Sequence, residues 1–261
     1  MIRVGVGGWV FPPWRGEFYP KGLAQARELE YASRKLTTIE INGTFYSTQK
    51  PESFRKWAAE TPDDFVFSLK GPRYATHRRV LAEARESIER FLAGGVLELR
   101  GKLGPILWQL HPAKKFEPKD FAAFLALLPH RLDGKPIRHV VEVRQASFVV
   151  PEFIALLREH SVAVVLADSA KHPLIPDVTA DFVYARLQRT SEKEEAGYPA
   201  RALDLWAERA RRWAAGTAPD DLAPVAGPAP GAAGRDVFIY MISGAKVRAP
   251  AAAMALIDRL G

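Results

Sequence analysis

The stretch "TTIEINGTFYSTQ" spans residues 37–49, and the fold turns on how its first half is read. Ile39 and Ile41 alternate with Glu40 and Asn42, so one face of this strand is apolar and the other carries a carboxylate and an amide. That second face either meets water or lines a site. The remaining strand-like runs decide between the two.

Seven further β-type runs are found at 2–8, 64–70, 104–110, 138–144, 162–168, 181–187 and 236–242, which with 36–42 makes eight. Helical patterns follow seven of them, at 22–34, 51–60, 79–94, 119–128, 151–160, 202–213 and 250–260. The exception is the sixth strand, where 169–180 is a short Pro-containing loop. Strands alternating with helices imply right-handed crossovers and a parallel sheet. Eight such units in 261 residues predict a single-domain α/β protein, a TIM-like (β/α)8 barrel over 1–261. An open doubly wound sheet is the structural alternative. "GVGG" at 5–8 is only a fragment of a dinucleotide fingerprint, and Pro12 and Pro13 stand where its helix would begin. Residues 216–235 are rich in Pro, Ala and Gly, which predicts a flexible loop on the N-terminal face, dispensable for any site.

In a barrel, alternate strand residues face the axis, and sites lie at the C-terminal ends of the strands. With Ile39 and Ile41 outward, Glu40 and Asn42 face inward. The same reading turns Ser68 and Lys70, Glu142 and Arg144, and Tyr184 and Arg186 inward, places Asp168, Gln109 and Tyr240 at strand ends, and leaves Gly5 and Gly7 making room on the first strand. Glu40 is then one member of a ring of three carboxylates and three cations at one end of the barrel. Buried charges need partners. An internal ion-pair network that merely plugs the barrel is one reading. A ligand site is the stronger one, because a plug has no reason to prefer that end.

His77 lies in the loop after the third strand, at the rim of the same mouth. Trp9, Trp14, Phe45 and Tyr46 follow the first two strands and suit a ligand with flat or sugar-like faces, whereas Trp108 and Phe45 are read first as core. Cysteine is absent, so disulfides and thiolate chemistry are excluded, and no apolar run is long enough to span a bilayer. With no export signal in view, cytoplasm is the default location. The net charge of +7 is spread along the chain and reads first as solubility, with an anionic partner as the alternative.

The motifs "GVGGWVFPPWRGEFYPKGL", "TIEINGTFYSTQ", "PDDFVFSLKGPRYATH", "LGPILWQL", "VEVRQASF" and "ADFVYARL" resemble, in order and spacing, those of the DUF72 (YecE-like) family, from residue 3 to about 187 and more loosely beyond. The resemblance implies a TIM-like barrel and no established activity. It places family motif positions on Trp9, Glu40, Asn42, Thr44, Phe45, Tyr46, Lys70, His77, Gln109, Glu142, Arg144, Asp168 and Arg186. The sequence departs from the pattern at His111-Pro112, Ser147-Phe148, Gln188-Arg189 and around Ser243 and Lys246.

Two functions follow as expectations. One is an enzyme or binder of a small polar or anionic molecule, such as a phosphorylated or acidic sugar. Glu40, Lys70, His77, Glu142 and Asp168 would be its acid–base groups, and Trp9, Asn42, Thr44, Tyr46, Gln109, Arg144, Arg186 and Tyr240 its ligand contacts. Hydrolysis, isomerisation and lyase chemistry all fit. The other is a nucleic-acid-binding or nucleic-acid-processing barrel. No cofactor is predicted. The carboxylates could gather a divalent metal, but the adjacent cations argue against it. The sequence specifies no oligomeric state.

Overall fold

Eight parallel strands close into a barrel in the computed structural model, which describes residues 1–228, 231 and 234–261. They are β1 Ile2–Gly7, β2 Thr38–Ile41, β3 Val66–Lys70, β4 Leu103–Gln109, β5 His139–Glu142, β6 Ala163–Asp168, β7 Phe182–Leu187 and β8 Asp236–Met241. Each pairs with its sequence neighbours, and β1 closes the ring against β8. Among the described residues, seven α-helices of five or more residues pack outside: α1 Glu28–Ala32, α2 Pro51–Glu60, α3 Arg85–Ala93, α4 Pro118–Leu125, α5 Pro151–Glu159, α6 Ala200–Ala214 and α7 Ala249–Leu260. Proline opens α2, α4 and α5, where its missing N–H has no intrahelical acceptor to lose. As expected, β6 is followed by a loop rather than a helix.

Strand alternation separates two apolar cores. Val4, Ile39, Ile41, Phe67, Leu69, Ile106, Trp108, Val141, Ala185 and Ile239 face the helices and belong to one large outer cluster. Leu107, Val140, Ala163, Val165, Ala167, Phe182, Tyr184, Phe238 and Tyr240 fill the barrel interior. Above this plug the interior turns polar. The Tyr240 hydroxyl lies 2.8 Å from Thr38 Oγ1 and 2.6 Å from Ser68 Oγ, so three hydroxyls satisfy one another in a buried layer. Tyr240 points inward as expected, but it is fully buried in this layer and does not line the mouth.

His139 begins β5 and is buried on the outer side of the sheet, between Trp108 and the chain near Pro129. Trp108 Nε1 donates to His139 Nδ1 at 3.1 Å, and His139 Nε2 lies 2.8 Å from the Pro129 carbonyl. Both contacts fit a neutral ring protonated on Nε2. Burial lowers its pKa from 6.5 to about 4, against the opposing pull of the Pro129 carbonyl. The unfolded chain therefore binds a proton more readily than the folded one. The stabilisation is complete above pH 6.5 and is lost as pH falls through about 4. From this group alone, stability is expected to drop by on the order of 3 kcal/mol across that window. Denaturant unfolding at pH 7 and pH 4 checks it: His139→Gln should show a visibly shallower loss than wild type, and equal losses would remove His139 as the cause.

The 216–228 part of the Pro/Ala/Gly-rich segment departs from expectation. Leu222, Val225 and Ala226 pack against the outer core, Asp177 accepts the backbone N–H groups of Val225 and Ala226 at 2.7 and 2.9 Å, and Arg158 donates to the Gly227 carbonyl at 2.9 Å. A buried carboxylate supplies the hold that apolar composition alone does not. The same expectation for residues 229, 230, 232 and 233 lies outside the described residues. No helix among the described residues is long and apolar enough to cross a membrane.

Candidate functional site at the C-terminal mouth

One guanidinium organises the floor of the mouth. Arg186 projects inward from β7 between Glu40 of β2 and Glu142 of β5. Its Nη2 donates to Glu40 Oε1 at 2.9 Å and its Nη1 pairs with Glu142 Oε2. Tyr184, two residues earlier on β7, donates its hydroxyl to Glu40 Oε2 at 2.7 Å. Arg144 Nη2 reaches Glu142 Oε1 at 3.5 Å and Gln109 Oε1 at 2.9 Å. Glu40, Glu142 and Arg186 are all almost wholly buried. Burial alone would raise the Glu142 carboxyl, but Arg186, Arg144 and Lys70 outweigh it and hold its pKa below the ordinary value. Burial works against the charge on Arg186, yet the two carboxylates raise its pKa further. The floor is thus a set of buried ions paired with one another.

Above the floor opens a cavity of about 710 Å³. Lys70, Arg144, Arg186 and Lys246 contribute to its wall, with Gln109, Asn42, Trp9 and Tyr46, and no carboxylate lines it among the described residues. Four cations against the two carboxylates beneath leave two positive charges in excess. Both lysines rest on aromatic faces. Lys70 Nζ lies 3.9 Å from the centre of the Phe45 ring, and Lys246 Nζ lies 4.5 Å from that of Phe11. Burial and the nearby Arg186 charge lower the Lys70 pKa to about 8, although Glu40 and Glu142 pull the other way. Burial likewise lowers Lys246. Gly7 keeps the entrance open, because a Cβ there would come within 2.6 Å of Ile242 and 2.8 Å of Asn42.

The sequence-predicted residues divide into three groups. Trp9, Asn42, Tyr46, Lys70, Gln109, Arg144 and Arg186 line the cavity, and Glu40 and Glu142 lie directly beneath it. Thr44 is near but structural: its hydroxyl lies 2.7 Å from the Lys70 carbonyl and fixes the backbone that carries the lysine. His77 stands on the exposed rim, its ring 5.4 Å from Phe45 and 4.9 Å from His111, and it faces an adjoining hollow instead. Burial, then the neighbouring His111 and Lys70, lower its pKa.

Asp168 does not join the ring. Ala163, Val165 and Ala167 take the inward positions of β6, so Asp168 shares the outer phase of Val164 and Leu166. It accepts from the Tyr198 hydroxyl at 3.0 Å and pairs with Arg189 at 3.7 Å. Trp14 is also not at the rim. It is buried among Phe11, Phe18 and Tyr19, and donates from Nε1 to the Lys246 carbonyl. Sequence reasoning gives no role to Lys246, Gln49 or Trp57, which line the cavity from loops and from α2. For Lys246 a signal exists: it is the first cation after β8.

The family described as "Protein of unknown function DUF72" matches residues 3–261. The chain belongs to the DUF72 family. It is 32% identical over 150 residues to the UPF0759 protein YecE of Escherichia coli K12, covering 57% of this chain and 50% of that protein. It is 27% identical over 158 residues to the UPF0759 protein YunF of Bacillus subtilis 168, covering 59% and 54%. These alignments thus span about half the length of each relative. The fold is also that of a DUF72 family crystal structure from Thermotoga maritima, with TM-score 0.78 and 24% identity over 100% of this chain and 99% of that one. A DUF72 structure from Enterococcus faecalis matches with TM-score 0.70 and 17% identity, over 100% and 95%. The resemblance read from the sequence motifs is therefore shown, as is the barrel it implied.

Proposed function

We propose that this DUF72 barrel binds a small anionic molecule, of the phosphorylated or acidic-sugar class, in the C-terminal cavity, and acts on it through Lys70. The observation that carries this reading is the charge imbalance of the wall: four cations converge on about 710 Å³ with no lining carboxylate among the described residues. A charge plug would be neutral, since each unpaired buried ion costs several kcal/mol. Glu40, Arg186 and Glu142 account for one another, which leaves Lys70, Lys246 and part of Arg144 directed at the cavity. Trp9 and Tyr46 at the entrance supply faces against which a sugar ring can pack.

An anion beside Lys70 would favour its charged form, so binding near pH 8 should take up protons. Titration calorimetry with inorganic phosphate and with glucose 6-phosphate, in two buffers of different ionisation enthalpy, measures both affinity and uptake. Expected are saturable binding with net proton uptake, and an affinity about tenfold or more weaker in Arg144→Ala, from loss of one charge-assisted hydrogen bond. Absence of binding to any sugar phosphate or sugar acid at low salt would sink the reading.

A nucleic-acid reading draws on a different observation. Arg78, Arg79 and Lys115 surround the rim hollow shared by His77 and His111. It predicts steeply salt-dependent binding of single-stranded or duplex probes that survives Arg144→Ala. Probe binding that disappears with Arg144→Ala would instead assign it to the cavity.

A further inference from the structure

We infer that Lys70 is a nucleophile, and that the ligand of this cavity carries a carbonyl group which condenses with the Lys70 amine to form an imine. The inference rests on the anion-binding reading of the same cavity and adds the chemical class of the ligand: an aldehyde or ketone that also bears a phosphate or carboxylate.

Three features of the geometry point there. First, Lys70 is 6% exposed, and its Nζ makes no hydrogen bond or ion pair with any described residue; it faces the cavity over the Phe45 ring. An ammonium placed only for charge would be held by a carboxylate when empty. Here both nearby carboxylates are taken by Arg186, Arg144 and Tyr184.

Second, the cavity already has two permanent cations. Arg144 and Arg186 share the Gln109 Oε1 acceptor, at 2.9 and 3.4 Å, which aligns both guanidinium groups on one side of the cavity. Arg144, whose Nε has no hydrogen-bond partner, and Lys246 on the same wall can hold an anionic group without help from Lys70. A desolvated lysine beside such fixed charges is driven toward the free amine, the form that attacks carbonyl carbon. The lowering of its pKa to about 8 agrees with this.

Third, Phe45 suits the product. A protonated imine is again a cation, and the ring face that now lies 3.9 Å from Nζ would stabilise it. Thr44 holds the Lys70 carbonyl at 2.7 Å, so the strand end presenting the amine is fixed.

The step balances without a redox partner. The Lys70 lone pair adds to the carbonyl carbon, and the π pair of the C=O moves onto oxygen. A proton passes from nitrogen to that oxygen, giving a carbinolamine. The hydroxyl then leaves as water with one proton taken from solvent, the nitrogen lone pair forms the C=N bond, and the remaining nitrogen proton stays to give the protonated imine.

Reductive trapping tests it on the wild-type protein. The protein is incubated at pH 8 with glyoxylate, pyruvate or glyceraldehyde 3-phosphate in the presence of cyanoborohydride, then digested and mapped by mass spectrometry. An ordinary lysine has a pKa near 10.4, so the adduct is expected on Lys70 at about tenfold or more above every other lysine. Excess inorganic phosphate should suppress it, and Lys70→Arg should abolish it while surface labelling persists. Adduct spread evenly over the lysines, or concentrated on Lys246, overturns the inference. Phosphate has no carbonyl, so its binding reports separately on the cavity. If phosphate binds and Lys70 is not trapped, the imine alone fails; if neither occurs, the anion site fails with it.

Discussion

Replacing Arg186 with methionine is expected to cost the protein about 3–5 kcal/mol at neutral pH, the usual loss when one partner of a buried ion pair is removed. Methionine keeps most of the volume but leaves two buried carboxylates, Glu40 and Glu142, without their shared cation. For a chain of this length the melting temperature should fall by on the order of 10 °C. The pH dependence should also invert. In the wild type the Glu142 pKa is depressed, so its contribution is present above the ordinary carboxyl range and is lost as pH falls through the lowered value. In the variant burial dominates and the carboxyls titrate above their ordinary range. The folded state then binds protons the unfolded state does not, and stability should rise as pH falls from 8 to 5. Melting curves of both proteins at several pH values check it. A loss below about 1 kcal/mol would show that water already solvates these ions and that the floor is not the buried ion set described.

The second large effect is expected at Gly5. A Cβ on Gly5 would lie 1.8 Å from the Thr38 carbonyl oxygen and 2.7 Å from its carbon, both backbone atoms of the neighbouring strand. No side chain can move aside to relieve that contact, so β1 and β2 must separate. Gly5→Ala should therefore exceed the ~3 kcal/mol upper end of ordinary overpacking, and fail to give soluble folded protein. Gly7→Ala is the control, since its new methyl meets only the ends of the Ile242 and Asn42 side chains. Solubility and thermal melting of the two variants decide it. A soluble Gly5→Ala protein melting within a few degrees of wild type would mean that the β1–β2 pairing has slack the register does not suggest.

The barrel was legible because β2, β3, β5 and β7 each alternate, toward their C-terminal ends, an apolar outer face with a polar inner one, and a one-residue slip would bury the wrong set. That phase alone brought Glu40, Lys70, Glu142 and Arg186 to one place. It failed at β6 for a physical reason. "AVVLA" is apolar on both faces, because its inner side packs into the barrel plug and its outer side against helices, so nothing in the run marks which way Asp168 turns. Tyr240 shows a second limit. Alternation gives the face but not the height, and strand stagger sets it level with Thr38 and Ser68 instead of at the mouth. Lys246 and Gln49 come from loops, which carry no periodicity. The hold on 216–228 depends on Asp177, a residue remote in sequence whose carboxylate is matched to two loop N–H groups.

The link that Arg186 makes across the barrel also bears on how such a protein can change its ligand. Glu40, Arg186 and Glu142 stand on three different strands, so losing Arg186 strands both carboxylates and losing either carboxylate leaves Arg186 with one buried partner in place of two. Their charge pattern can change only by several substitutions at once. Tyr46, Gln49 and Lys246 reach the same cavity from the segments after β2 and β8 and satisfy no buried ion. Each can be exchanged singly at little cost to folding. New ligand preferences in a barrel built this way therefore enter at the rim, one residue at a time, over a floor of paired ions that stays as it is.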